Sequence, residues 1–146
     1  MKQKLLFLFE ALLLMNLAFA KPVDPSVAKL VGQNFLKTRV SSATISSNPN
    51  LELIYTESSK ASGKQAVNYF FVFNVNENQG FVIVAADDIV SPVLGYSDEK
   101  AFIPNNIPVN VAKWLEGYKN EIRFAITNHW KATEAISEDW IALQKG

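Results

Sequence analysis

Two runs of strand-forming residues, held a few residues apart, restrict what this chain can fold into more than any other feature. Tyr69-Phe70-Phe71-Val72-Phe73-Asn74-Val75 is dense in aromatic and β-branched side chains, which favour a pleated strand. Asn76 to Gly80 is a polar turn, and Phe81-Val82-Ile83-Val84-Ala85 follows at once. A connection this short cannot carry a crossover, so the two runs must pair antiparallel as a hairpin. Upstream, Leu51, Leu53 and Tyr55 alternate with polar neighbours and predict a half-buried strand. Downstream, Val93-Leu94-Gly95-Tyr96 predicts a fourth, short strand after Asp87 and Asp88 close the third.

Helices flank these strands. Asp24-Pro25 reads as a helix start, with Asp24 as N-cap and Pro25 at the first helical position. Val27, Leu30, Val31 and Phe35 then recur at helical spacing, and the helix should run to about Thr38. Ser41 to Asn50 and Ser58 to Gln65 are polar connections, the second containing Gly63. Past an irregular loop from Ser97 to Val109 comes the clearest helical stripe, made by Val111, Trp114, Leu115, Tyr118, Ile122, Ala125 and Ile126. Asn110 stands just before it as the expected N-cap. Trp114, at the head of the stripe, should be buried against either the Phe71 and Phe73 face or the Phe70 and Val72 face of the sheet. Ser137 to Leu143 reads as a last short helix. An antiparallel sheet of about four strands, with an N-terminal helix and a long amphipathic C-terminal helix packed on it, is an α+β domain.

The first twenty residues read differently. Lys2 and Lys4 precede an apolar run from Leu5 to Leu17, interrupted by Glu10 and Asn16, and Ala18-Phe19-Ala20 supplies the small residues of a signal-peptidase site. The run is short for a membrane span, which needs roughly 20 apolar residues. Residues 1–20 are therefore expected to be a cleaved signal peptide and 21–146 the mature domain, secreted or periplasmic, free of the membrane and monomeric when unbound. Removing Lys2, Lys4 and Glu10 from 14 basic and 14 acidic residues leaves 12 and 13, so there is no positive excess to hold nucleic acid.

Catalytic chemistry finds little to work with. The 146 residues include no cysteine, so there is no disulfide, no thiol nucleophile and no thiolate metal ligand. The one histidine, His129, falls just past the long helix with no nucleophile pattern to pair with, and a cation near a helix C-terminus explains it. Asp87 and Asp88 are adjacent at a strand end, where neighbouring side chains diverge, and are expected to serve turn geometry rather than a metal. Gly80 and Gly95 stand alone near strands without a phosphate-cradling pattern. No cofactor is implied. On these residues alone the chain is an exported binding domain, with a saccharide or protein module as one reading.

One ordered set of motifs is more specific. Tyr69-Phe70-Phe71-Val72-Phe73-Asn74, then Gly80-Phe81-Val82-Ile83-Val84-Ala85-Ala86-Asp87, then Leu94-Gly95-Tyr96-Ser97, then Trp114-Leu115-Glu116 with Tyr118, resembles the propeptide of streptopain-type cysteine peptidases and the related stand-alone streptopain inhibitors. The resemblance runs from about Ala28 to Ile126. It implies a non-enzymatic inhibitor that covers the active-site cleft of a streptopain-like, papain-fold cysteine peptidase. It also implies that the segment leading into the amphipathic helix approaches the catalytic residues, with an Asn at the helix start disturbing the catalytic histidine. Carried onto this sequence, the peptidase-contacting candidates are Asn105, Asn106, Pro108, Val109 and Asn110. Because the chain ends at Gly146 without a peptidase domain, it is expected to be an inhibitor acting in trans, with a truncated precursor or a folding-assistant prodomain as the alternative.

Overall fold

A computed structural model of the chain describes residues 21–39, 48–59 and 66–146. The leader with its Ala18-Phe19-Ala20 site, most of the Ser41 to Asn50 loop and most of the Ser58 to Gln65 connection lie outside the described residues.

The hairpin is present as β2 (Asn68–Val75) and β3 (Gly80–Ala85), antiparallel, with Val75 opposite Gly80 and Phe70 opposite Ala85. Asn76 and Glu77 take left-handed φ values of 43° and 69° to turn the chain, a conformation that Asn tolerates better than most residues. The Asn76 side chain fixes this turn in place. Its Oδ1 accepts the Asn50 amide at 2.8 Å and its Nδ2 donates to Gln79 Oε1 at 2.8 Å. Asn50 leads into β1 (Leu51–Ser58), which runs along the free side of β2, while β4 (Val93–Ser97) runs along β3. The sheet order is β1-β2-β3-β4, antiparallel throughout.

In β2, Tyr69 to Phe73 and Val75 are all buried, because helices cover the sheet on both sides. The first, α1 (Pro25–Arg39), begins as expected. Asp24 Oδ1 accepts from the Ser26 hydroxyl at 2.7 Å and the Ser26 amide at 2.8 Å, and these two bonds hold its carboxyl below the usual value. Its buried face, however, is Ala28, Val31, Gly32 and Leu36, while Leu30, expected inside, is 42% exposed. Gly32 explains the rotation. A Cβ there would lie 3.0 Å from Val82 and 3.1 Å from Leu51, so the helix approaches the sheet over its smallest residue and turns Leu30 outward. Val82 and Val84 lie opposite Phe73 and Phe71, so these aromatics share the α1 face.

The opposite face carries Tyr55, Phe70, Val72, Asn74, Phe81 and Ile83, and α2 (Val109–Thr127) lies over it with Leu115, Ile122 and Ala125 buried. Trp114 is not buried there as expected; it is 43% exposed. Leu115, Ile122 and Ala125 define the centre of the helical stripe, and Trp114 falls on its flank, with its ring tip against Gly95 of β4. The last helix, α3 (Glu134–Lys145), starts earlier than the Ser137 expected, because Thr133 caps it by accepting the Ile136 amide. It packs on α1: the amide of buried Asn34 donates to Leu143 O at 2.8 Å. Trp140, also buried, donates its Nε1 to Val90 O at 2.8 Å. The domain is α+β, as the element pattern predicted.

Candidate functional site

The segment between β4 and α2 is built on a polar position inside an apolar strand. Phe70, Val72 and Asn74 alternate onto the α2 face of β2, and a side chain amide half-buried there needs partners. Asn74 finds both on one residue. Its Oδ1 accepts the Phe102 amide at 2.8 Å, and its Nδ2 donates to the Phe102 carbonyl at 3.1 Å. The Phe102 ring is thereby seated between Phe81, 5.6 Å away edge-on, and Tyr55, 6.1 Å away. Phe102 is buried, and Ile107 packs half-buried against the same core.

Between these two anchors the chain makes a tight turn. The Asn106 amide donates to the Ile103 carbonyl at 3.0 Å, which places Pro104 and Asn105 at the two central positions. Pro at the first of these suits the turn, since its φ is already set. Ile103 is left 59% exposed, and Asn105 and Asn106 are exposed beside it.

Helix α2 then starts without the cap expected of it. The N-cap is Pro108, at φ −57° and ψ 145°, and its carbonyl takes the first helical bond, from Ala112 at 2.9 Å. Asn110 is already within the first helical turn, so its side chain cannot play the capping role predicted for it. The N-cap position supplies no side-chain hydrogen bond, and no acidic residue lies in the first turn. Asn110 is exposed, and Val109 is 73% exposed. The structure thus brings all five predicted residues, Asn105, Asn106, Pro108, Val109 and Asn110, onto one continuous segment of about one turn and one helix start. Ile103 is exposed on the same segment, and Trp114, expected in the core, is 43% exposed further along α2.

The ring tip of Trp114 rests where a Cβ on Gly95 would sit 2.5 Å from its Cη2, and its edge meets Tyr118 at 4.9 Å. One turn further on, Lys119 Nζ lies 2.8 Å from Glu57 Oε1, and Tyr55 donates a short hydrogen bond to the same carboxylate. Burial, reinforced by Glu57, pushes the Tyr55 hydroxyl up to about 12, so it stays a proton donor. This clasp ties the middle of α2 to β1.

The other singled-out residues serve local structure. Asp87 is buried and its Oδ1 accepts the Ile89 amide at 3.1 Å, the turn role expected of it. His129 is exposed past α2 at φ 52°, with its amide bonded to Ile126 O. Among the described residues no group of three or more His, Cys, Asp or Glu is placed to hold a metal. An apolar groove of about 660 Å³ lies along the C-terminal half of α2, bounded by Leu94, Ile122, Phe124 and Trp130, away from the turn at Ile103 to Asn106.

Asp87 gives a direct test of its environment. Burial, more than the nearby Asp88, raises its carboxyl above the ordinary value. Such a shift opposes folding when the group is ionised, and the penalty vanishes as pH falls through the folded pKa to below the unfolded value of about 3.9. Asp87→Asn keeps an acceptor for Ile89 and removes the charge. It should melt higher than the parent at pH 7, with the difference closing as the pH is brought below 4 in parallel thermal melts.

A family model described as Spi protease inhibitor matches residues 20–122. A thiol protease/hemagglutinin PrtT from Porphyromonas gingivalis is 35% identical over 130 residues, covering 87% of this chain. The chain spans 14% of the length of that relative. No solved structure matches the chain. Among the described residues no helix is long and apolar enough to cross a membrane.

Proposed function

Because the chain belongs to the Spi protease inhibitor family, we propose that it inhibits a papain-like cysteine peptidase by laying the Ile103 to Asn110 segment and Trp114 into the active-site cleft. The observation that carries this reading is apolar surface left in solvent on the anchored segment, Ile103 at 59% and Val109 at 73% exposure, with Trp114 at 43% further along α2. Single exposed apolar groups are ordinary; two of them on one anchored segment that also exposes Asn105, Asn106 and Asn110 suit a partner surface. The chain's role is non-catalytic occlusion, reversible and stoichiometric, with specificity set by shape. An interface of standard size, about 1,600 Å² in total, would extend well beyond this segment. The target is a secreted thiol peptidase of the kind whose precursor carries a matching region, and residues 21–146 are the acting domain.

The same surface would serve a prodomain that guides folding of its own peptidase. The relative named as a thiol protease favours that second reading, since the match occupies a small share of a much longer protein. Mixing the chain with active peptidase, and separately with denatured peptidase under refolding conditions, distinguishes the two. Loss of activity in the first mixture supports inhibition; a raised refolding yield in the second, with no inhibition in the first, supports assistance.

Asn110 sharpens the test. Since it is exposed and caps nothing, Asn110→Ala should change stability by no more than about 0.5 kcal/mol. If its amide is buried at the centre of the interface, losing it should weaken inhibition by roughly 5- to 150-fold, the equivalent of about 1–3 kcal/mol. Inhibition constants equal to the parent's would remove Asn110 from the contact surface.

A further inference from the structure

The first described residues are tied down where a predicted cleavage product would begin. Lys21 to Val23 lies antiparallel to Ala86 to Asp88: Val23 donates its amide to Ala86 O at 2.9 Å, Pro22 bridges Asp87, and Asp88 donates its amide to Lys21 O at 3.2 Å. One further bond is made by the side chain. The backbone nitrogen of Lys21 donates to Asp88 Oδ1 at 2.7 Å. This is the shortest of the contacts along the segment, and it places a carboxylate directly on the nitrogen that follows Ala18-Phe19-Ala20.

We propose that hydrolysis of the Ala20–Lys21 bond by a signal peptidase creates an α-ammonium on Lys21 that Asp88 is positioned to hold, so that the new chain start is built into the fold. The chemistry is simple hydrolysis. Water supplies hydroxyl to the Ala20 acyl carbon and a proton to the Lys21 nitrogen. At neutral pH the products are a carboxylate on Ala20 and, after one more proton from solvent, an ammonium on Lys21. The nitrogen that was a neutral amide donor now carries a full charge and three donors, at the distance typical of a charge-assisted hydrogen bond. The pairing stitches the turn after β3, Ala86 to Asp88, to the entry of α1, whose cap at Asp24 follows directly. Asp87, the neighbouring carboxylate, directs its Oδ1 at the Ile89 amide instead, and Lys21 contributes its own exposed ε-ammonium. Asp88 is therefore the group that sets the charge balance at the new terminus. The inference does not depend on the inhibitory reading.

The experiment uses the full chain, leader included, expressed in an exporting host and recovered as the exported product. Its N-terminal sequence should begin Lys21-Pro22-Val23. The α-amine is then titrated by NMR in the folded product. An unpaired α-amine titrates near 7.7–8.0; paired with Asp88 it should titrate about one unit or more higher. In Asp88→Asn it should return to the ordinary range, while the backbone bonds of Asp88 and Lys21 are retained. A product that starts elsewhere, or a Lys21 α-amine with an ordinary value in the parent, overturns the proposal. Should Asp88→Asn fail to fold, the parent titration alone still decides.

Discussion

Phe71→Ala should lower the unfolding free energy by about 3–5 kcal/mol, the cost typical of emptying an aromatic-sized site in a core. Phe71 sits on β2, 1% exposed, facing α1 across from Val84 and next to Phe73 at 6.3 Å between ring centres. Its neighbours belong to a sheet clamped between helices, so collapse into the void is hindered from both sides. A domain of this size is stable by only about 5–15 kcal/mol, so the loss would remove a large fraction of the total. With no cysteine to cross-link it, the fold has no disulfide to offset such a loss. Leu30→Ala is the matched control. Because Leu30 is 42% exposed, its loss should be near or below about 1 kcal/mol. Denaturant melts with unchanged slopes measure both. Equal losses at the two positions would mean that α1 is seated on the sheet through Leu30, as helical spacing alone suggested.

That control marks where sequence reasoning reached its limit. The hairpin and the order of strands were legible because tight turns leave few ways to pair neighbours. The helical faces were harder. Apolar spacing selects the largest residues, yet α1 meets the sheet at Gly32 and Ala28, where small side chains let backbones approach. For α2, cap preferences pointed to Asn110, whereas the proline two residues earlier begins the helix, because its fixed φ suits the junction and its missing amide would have had no helical partner. The loop's anchor was written in the sequence but not read: Asn74 interrupts an alternation with Phe70 and Val72, and a polar group on a buried face implies a specific partner. That the partner would be both backbone groups of Phe102, 28 residues on, depends on tertiary placement that no local pattern carries.

Trp114 should separate stability from inhibition. Had it been a core residue, Trp114→Ala would cost about 3–5 kcal/mol. At 43% exposure, with one edge on Tyr118 and its tip on Gly95, it should cost much less, on the order of 1 kcal/mol. Inhibition should suffer more. A half-exposed indole is the type of anchor that dominates interfaces, where truncation typically costs at least about 2 kcal/mol, or roughly 30-fold in the inhibition constant. Gly95→Ala tests the same contact without deleting the indole. The added methyl would meet Cη2 at 2.5 Å, so the ring must swing off β4 into a new position. If the peptidase binds the indole where Gly95 seats it, this variant should also inhibit poorly while remaining folded. A Trp114→Ala protein that loses several kcal/mol of stability, together with a Gly95→Ala protein that inhibits like the parent, would return Trp114 to the core and leave the turn from Ile103 to Asn106 to carry the contact.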